Sequence, residues 1–374
     1  MAAKECLHGL DAELRVMSAA DLHGDDADPV AVLVRRGDRV ESTHRVAYAV
    51  ADSGGALLHH EGDVRRPVFP RSAVKPLQAL ALIESGAAER FAVSERELAL
   101  ACASHAGEPM HTEAVSAWLA RLGLDPSALE CGAHAPNHEP TARRLIAAGQ
   151  AASALHNNCS GKHAGMLTLA LHLGVPIEGY IAPDHPVQQR IGAVLAAMSG
   201  GGLAPPAIDG CGIPTHPLPL ANLAAAIARL GDPGPDPDDA PGRAQACARI
   251  RAAMAAHPLL VAGSGRACSL IMAAAPRVLV KTGAEGVYVA ALPAQRLGLA
   301  LKVADGASRA AVVALMALLK RLGALDPGAA AALGQLAAPE LRNHAGRVVG
   351  RIEAAPGWPR FASPTAARRD LHQA

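Results

Sequence analysis

A serine and a lysine stand three residues apart in Arg71-Ser72-Ala73-Val74-Lys75-Pro76. On a helix that spacing puts both side chains on one face, within reach of each other. A serine activated in this way needs a neutral lysine. Near pH 7 this requires burial or a second cation to bring the amine well below its usual pKa of about 10.4. Lys281-Thr282-Gly283 offers that second lysine, because S-x-x-K is paired with K-T-G in acyl-transferring serine enzymes. Either match alone fits a solvated Ser and Lys at an ordinary helix start; the two in the expected chain order favour chemistry. Pro76 is tolerable only in the first turn of such a helix. Ser104, in Cys102-Ala103-Ser104-His105-Ala106-Gly107-Glu108, is a third candidate hydroxyl.

A second constellation joins Asn157-Asn158-Cys159-Ser160-Gly161-Lys162-His163 to Asp209-Gly210-Cys211-Gly212-Ile213-Pro214-Thr215-His216. Each places a cysteine in a Gly-containing turn. Two thiolates with a nearby imidazole would supply three protein ligands of an open zinc site. The single-Cys segments lack the tight spacing of a zinc finger, so buried inert cysteines fit the same residues. Gly263-Ser264-Gly265 lacks the third glycine of a dinucleotide fingerprint and reads as a turn. His134, His138 and Glu139 lie beside prolines and read as a helix start.

The elements that must position these groups follow from patterning. VAVLVRRG and RVAYAVADSGG, from Val30 onward, are β-branched runs separated by turn residues, the pattern of an antiparallel pair. VYVAALP, LGLALKVAD and RVVGRIEA repeat it near the other end. Between them the periodicity predicts helices near 74–85, 112–122, 140–149, 163–173, 185–199, 220–230 and 241–256, with another at 308–322. Strands at both ends and helices in the middle imply an α+β fold, an antiparallel sheet closed by both termini against a helical lobe. Residues 1–28 read as a loose extension, 231–242 (GDPGPDPDDAPG) as an exposed loop, and 355–374 as a tail.

The 374 residues are 50% apolar with a formal net charge of +1, which indicates a large core and no electrostatic footprint for nucleic acid. Aromatics at 2% leave no stacking platform for single strands. The charged start of the chain has no apolar stretch of the secretory kind, and seven cysteines, an odd number, argue against a disulfide framework. The expected setting is therefore the cytoplasm, with reduced thiols and no membrane span.

FPRSAVKPLQA at 69–79, CASHAGEP at 102–109, HNNCSGKHAGM at 156–166, DGCGIPTH at 209–216 and KTGAEG at 281–286 together resemble the asparaginase II family of rhizobial type, over about 29–354. That resemblance implies a fold like the serine β-lactamases, penicillin-binding proteins and glutaminases, and a homodimeric amidohydrolase converting L-asparagine to L-aspartate and ammonia. It implies two Ser–Lys tandems, Ser72 with Lys75 and Ser104 with Lys281. It also implies a zinc ion held by Cys159, Lys162 and Cys211, with Asp209 near the shell and Arg71 able to contact a substrate carboxylate. On this reading Ser72 attacks, Lys75 takes its proton, and backbone N–H groups at the helix start hold the oxyanion. Two alternatives stand beside it: a serine glutaminase or other small-amide hydrolase, and a non-catalytic zinc-binding protein.

Overall fold

The structure, a computed structural model, describes residues 28–235 and 241–361. The proposed extension therefore lies almost wholly outside the described residues, as do the middle of the 231–242 loop and the tail beyond Phe361.

The alternating and β-branched runs form strands β1 (Val30–Arg36), β2 (Arg39–Asp52) and β3 (Leu57–Glu61). Four two-residue strands follow, β4 (Pro67–Val68), β5 (Ala207–Ile208), β6 (Pro214–Thr215) and β7 (Leu218–Pro219), pairing as two short ribbons, β4 with β7 and β5 with β6. The late strands are β8 (Leu279–Thr282), β9 (Val287–Leu292), β10 (Leu297–Val303), β11 (Glu340–Arg342) and β12 (Val348–Ala354). The main sheet runs β11-β12-β1-β2-β10-β9-β8, with β3 beside β2, and every pairing is antiparallel. Its chain order explains the architecture expected from the sequence: the N-terminal hairpin β1–β2 is enclosed by C-terminal strands on both sides.

The long strand β2 makes this possible by changing partner. Its first half pairs with β1, from Arg39 opposite Arg36 to Arg45 opposite Val30, and its second half pairs with β10, from Val46 opposite Val303 to Asp52 opposite Leu297. In β9 every residue is buried, so no alternation survives, as in a strand covered on both faces. The helix Leu220–Gly231 packs on β2, β9 and β10, and the helix Ser308–Arg321 on β1, β9, β10 and β12.

The middle helices match the expected positions: Pro109–Arg121, Glu139–Ala147, Ser160–Leu173, Pro186–Ser199 and Arg243–Ala256. The helix expected over 74–85 is instead three pieces, a 3-10 turn Arg71–Val74 and short helices Lys75–Gln78 and Leu80–Glu84. Pro76 sits in the first turn of the second piece, where its missing N–H costs nothing. The tail begins as part of the fold. Trp358 is buried edge-on to Tyr48 with ring centroids 5.7 Å apart, and Phe361 stacks on His59 at 4.3 Å. Six of the cysteines are buried and outside any disulfide, and no described helix is long and apolar enough to cross a membrane.

Candidate active site

Three chain segments meet at the start of the helical lobe. The first is the 3-10 turn carrying Ser72, which leaves Lys75 buried one turn further on. Arg71 opens it with a φ of 51°, a left-handed backbone that a non-glycine residue adopts at a cost of about 1–3 kcal/mol. Its guanidinium is held by Asp209, with Nε 2.7 Å and Nη2 2.6 Å from Oδ1. The second segment is the loop after helix Glu95–Ala101, which carries Ser104. The third is the end of β8, where Lys281 opposes Val289. Gly283 lets that strand end close on the first segment: a Cβ there would stand 2.4 Å from the Pro70 carbonyl oxygen, so only glycine fits.

Ser104 Oγ lies between two amines, 3.0 Å from Lys75 Nζ and 2.9 Å from Lys281 Nζ. Lys75 also donates to Ala103 O at 2.5 Å and approaches Asn158 O at 3.5 Å, while Lys281 donates to Thr282 O at 2.8 Å. Both lysines are at most 2% exposed. Burial is the main cause lowering each, and Lys75 adds its charge to bring Lys281 down to about 7.

The structure thus joins Ser104 to Lys281, and it bonds Lys75 to Ser104 rather than to Ser72. The Ser72 hydroxyl, half-buried, makes no hydrogen bond to the described residues. Two features account for this: the turn at Ser72 is 3-10 rather than α, and Ala103 O and Ser104 Oγ already draw the Lys75 amine inward. The N–H of Ala73 is bonded to Pro70 O at 3.0 Å, so it is not a free oxyanion donor.

Beside this centre lies the cysteine cluster. Cys159 precedes the helix Ser160–Leu173, Lys162 is in its first turn, and Cys211 is in the turn between β5 and β6. Lys162 Nζ is 3.0 Å from Cys211 Sγ, the two thiols hydrogen-bond to each other, and all three residues are buried. The bond from Cys211 holds Cys159 well below the ordinary thiol range, aided by the charges of Lys162 and Lys75 against the effect of burial. Cys211, bonded to that sulfur and buried, is pushed up. The pair therefore loses one proton readily and the second with difficulty. Burial alone would lower Lys162, but the two sulfurs and Asp209 outweigh it and hold the amine above its ordinary value.

No group of three His, Cys, Asp or Glu side chains spaced for a metal occurs among the described residues, so the third donor here would have to be the Lys162 amine. Two sulfurs and a nitrogen gathered in one buried cluster are a donor set of the kind that holds a tetrahedral zinc ion with one open position.

Asn158 is a residue the spacing did not single out. Its carbonyl faces Lys75 and accepts the His105 N–H at 3.2 Å, its Oδ1 is 2.9 Å from Cys159 Sγ, and its N–H is held by His134 Nε2 at 3.0 Å. One residue thus links the Ser–Lys centre to the sulfur cluster. Its place beside Cys159 is the only signal the sequence carries of this.

The chain matches the family model described as L-asparaginase II over residues 32–354. No curated protein matches it. Among solved structures it is similar to Mglu in its native form, with 17% identity, a TM-score of 0.44, and coverage of 76% of this chain and 66% of that one. It is also similar to Mglu in its glutamate form, with 17% identity, a TM-score of 0.45, and coverage of 75% and 61%. A β-lactamase from Mycobacterium bovis gives 16% identity, a TM-score of 0.40, and coverage of 71% and 89%. The chain spans less than two thirds of the length of the Mglu chains. The matched span holds Ser72, Ser104, Cys159, Cys211 and Lys281 together with both halves of the sheet, and the chain belongs to the L-asparaginase II family.

Proposed function

We propose that this chain hydrolyses the side-chain amide of L-asparagine to L-aspartate and ammonia through a serine ester. The observation that carries this reading is the Ser104 hydroxyl held between two buried lysine amines, 3.0 and 2.9 Å away. Two cations sharing one hydroxyl in a buried site repel each other, so near neutral pH the Lys75–Ser104–Lys281 chain holds one free amine. That amine is the base.

Ser72 is the hydroxyl open to substrate, because it is half-buried and has no hydrogen-bond partner among the described residues. As the amide arrives, Lys75 hands a proton through Ser104 to the free amine of Lys281 and becomes neutral; Ser72 Oγ then bonds to the amide carbon while the Ser72 proton passes to Lys75, the contact tightening only in the complex. Ser104 and Lys281 relay a proton to the leaving nitrogen as the C–N bond breaks. Water then releases aspartate from Ser72. On this reading Arg71 and Asp209, bonded to each other here, would open to meet the substrate's carboxylate and ammonium ends. Cys159, Lys162 and Cys211 would hold a zinc ion, which when bound supplies a Lewis-acidic anchor for the amino-acid end of the substrate. The homodimer and the cytoplasmic setting belong to this proposal on the strength of the family resemblance.

Ammonia release from L-asparagine, L-glutamine and a β-lactam, with and without added zinc, tests the reading. Asparagine is expected to turn over fastest. One methylene in a pocket is worth only about 1–3 kcal/mol, so faster turnover of glutamine would move the substrate and keep the mechanism, whereas no amide turnover would end both.

A further inference from the structure

The strap formed by residues 258–264 is tied to the Ser104 loop at several points and leads through one helix to the strand that carries Lys281. Ser104 N–H donates to Val261 O at 3.0 Å. His111 Nε2 donates to Leu259 O at 2.9 Å, while its Nδ1 accepts the Glu108 N–H at 3.1 Å. The Glu108 carboxylate accepts the Ser264 N–H on Oε1 and the Ser264 hydroxyl on Oε2, both at 2.7 Å. Gly263, with a φ of 116°, has no room for a side chain: a Cβ would stand 2.6 Å from Glu108 Oε1 and 2.7 Å from the Ala106 Cβ. The strap is also closed on itself, since Ser269 Oγ accepts from Gly263 N–H and donates to Pro258 O. Beyond it, helix Ala267–Ala274 runs into β8 and Lys281.

Glu108 is 5% exposed and makes no contact with Ser72, Lys75 or Lys281. A buried carboxylate is costly unless its acceptors are filled, and here the Ser264 bonds fill them. The resulting clasp spans 156 positions of sequence and closes on the loop whose hydroxyl must fall within hydrogen-bond reach of two amines at once. An oxygen that has to meet two fixed donors tolerates little displacement. We propose that Glu108 is a positioning residue for catalysis: its bidentate hold on Ser264 clasps the strap to the Ser104 loop and fixes Ser104 between Lys75 and Lys281. This rests on the relay role given to Ser104 above.

The test is a double-mutant cycle on asparagine hydrolysis between Glu108→Ala and Ser104→Ala, read as kcat and KM separately. Ser264→Ala, which removes only the hydroxyl bond, serves where Glu108→Ala does not fold. Asp326→Ala, which removes a distant helix cap, gives the effect of simple destabilisation. The clasp predicts that Glu108→Ala lowers kcat tenfold or more with KM within twofold. It predicts a smaller loss of the same kind for Ser264→Ala, and no further loss when Glu108→Ala is added to Ser104→Ala. Wild-type kcat in folded Glu108→Ala, or an equal loss in the Ser104→Ala background, overturns the clasp while leaving the relay standing. Wild-type kcat in Ser104→Ala removes the relay itself, and the clasp with it.

Discussion

Three of the six lysines in the chain are buried within one small region, and their surroundings drive them in opposite directions. Lys75 and Lys281 face a shared hydroxyl and carbonyl oxygens; burial dominates and both are lowered, Lys281 to about 7, even though Cys159 and Cys211 act to raise Lys75. Lys162 is buried as deeply, yet two sulfurs and Asp209 hold it above its ordinary value. Burial penalises an ammonium in every case, and the neighbours decide whether the penalty is offset. One region therefore makes a free amine available near neutral pH. The other keeps a cation until something stronger displaces its proton, as a metal ion at the two sulfurs would do.

Removing Ser72 is the harshest way to challenge this contrast. Ser72→Ala should lower kcat on the order of 10⁴-fold or more, as expected for loss of a nucleophile, while folding and metal content stay unchanged; ammonia assays and elemental analysis check it. Activity near wild type would leave the free amine with nothing to deprotonate.

Altering the sulfur region should act through metal rather than through the proton relay. Cys211→Ser is expected to abolish stoichiometric zinc uptake by elemental analysis, and chelation of the parent protein should lower both Tm and activity. Undiminished activity after complete chelation would make Cys159, Lys162 and Cys211 a structural cluster only.

The pH profile sharpens the Ser–Lys side. The free amine is the active form, so kcat/KM should rise with pH through about 7 and level off above it, following the Lys281 value. The smallest expected effect concerns stability. In the folded protein Lys281 releases its proton near 7, while unfolded it holds one to about 10.4, so the unfolded chain binds more protons across that window. This group therefore makes stability rise with pH from about 7 to about 10.4, and below that window the full cost of a buried cation remains. Lys281→Met should flatten that rise in Tm and raise Tm at pH 6 by a few degrees, a gain bought at the expense of activity.

Much of the fold was legible because its signals are local. The runs at 30–36, 287–292 and 297–303 are too rich in β-branched and apolar residues for anything but strands, and the helices between them carry the period of a buried face. Strand β3, reading Leu-Leu-His-His-Glu, shows no such pattern and is recruited by β2. The docking of Trp358 and Phe361 was hidden for a similar reason: a Pro- and Gly-rich tail has no period, and its two rings find Tyr48 and His59 some 300 positions away only in three dimensions.

At the site, residue types and order pointed to Ser72, Lys75, Ser104 and Lys281, because S-x-x-K and K-T-G are short motifs with a mechanism. The family resemblance paired Lys281 with Ser104, as the structure has them, but that Lys75 meets Ser104 as well was not legible. The α-helical spacing rule applied to Ser72 and Lys75 fails where the turn is 3-10, and Ser104 reaches Lys75 across 29 positions. Gly263-Ser264-Gly265 was read correctly as a turn, but nothing local shows that its serine closes on Glu108.

The central claim is that buried lysines of one type differ in charge at the same pH, and it can be measured directly. With lysine labelled at the ε-carbon and only six lysines present, NMR titration of the metal-free protein resolves each amine. The account predicts a midpoint near 7 for the resonance lost in Lys281→Met, and no deprotonation of Lys162 below its ordinary range. If Lys75 and Lys281 both stay charged up to about pH 10.4, as in a free peptide, no base is available to Ser72 and the account is contradicted.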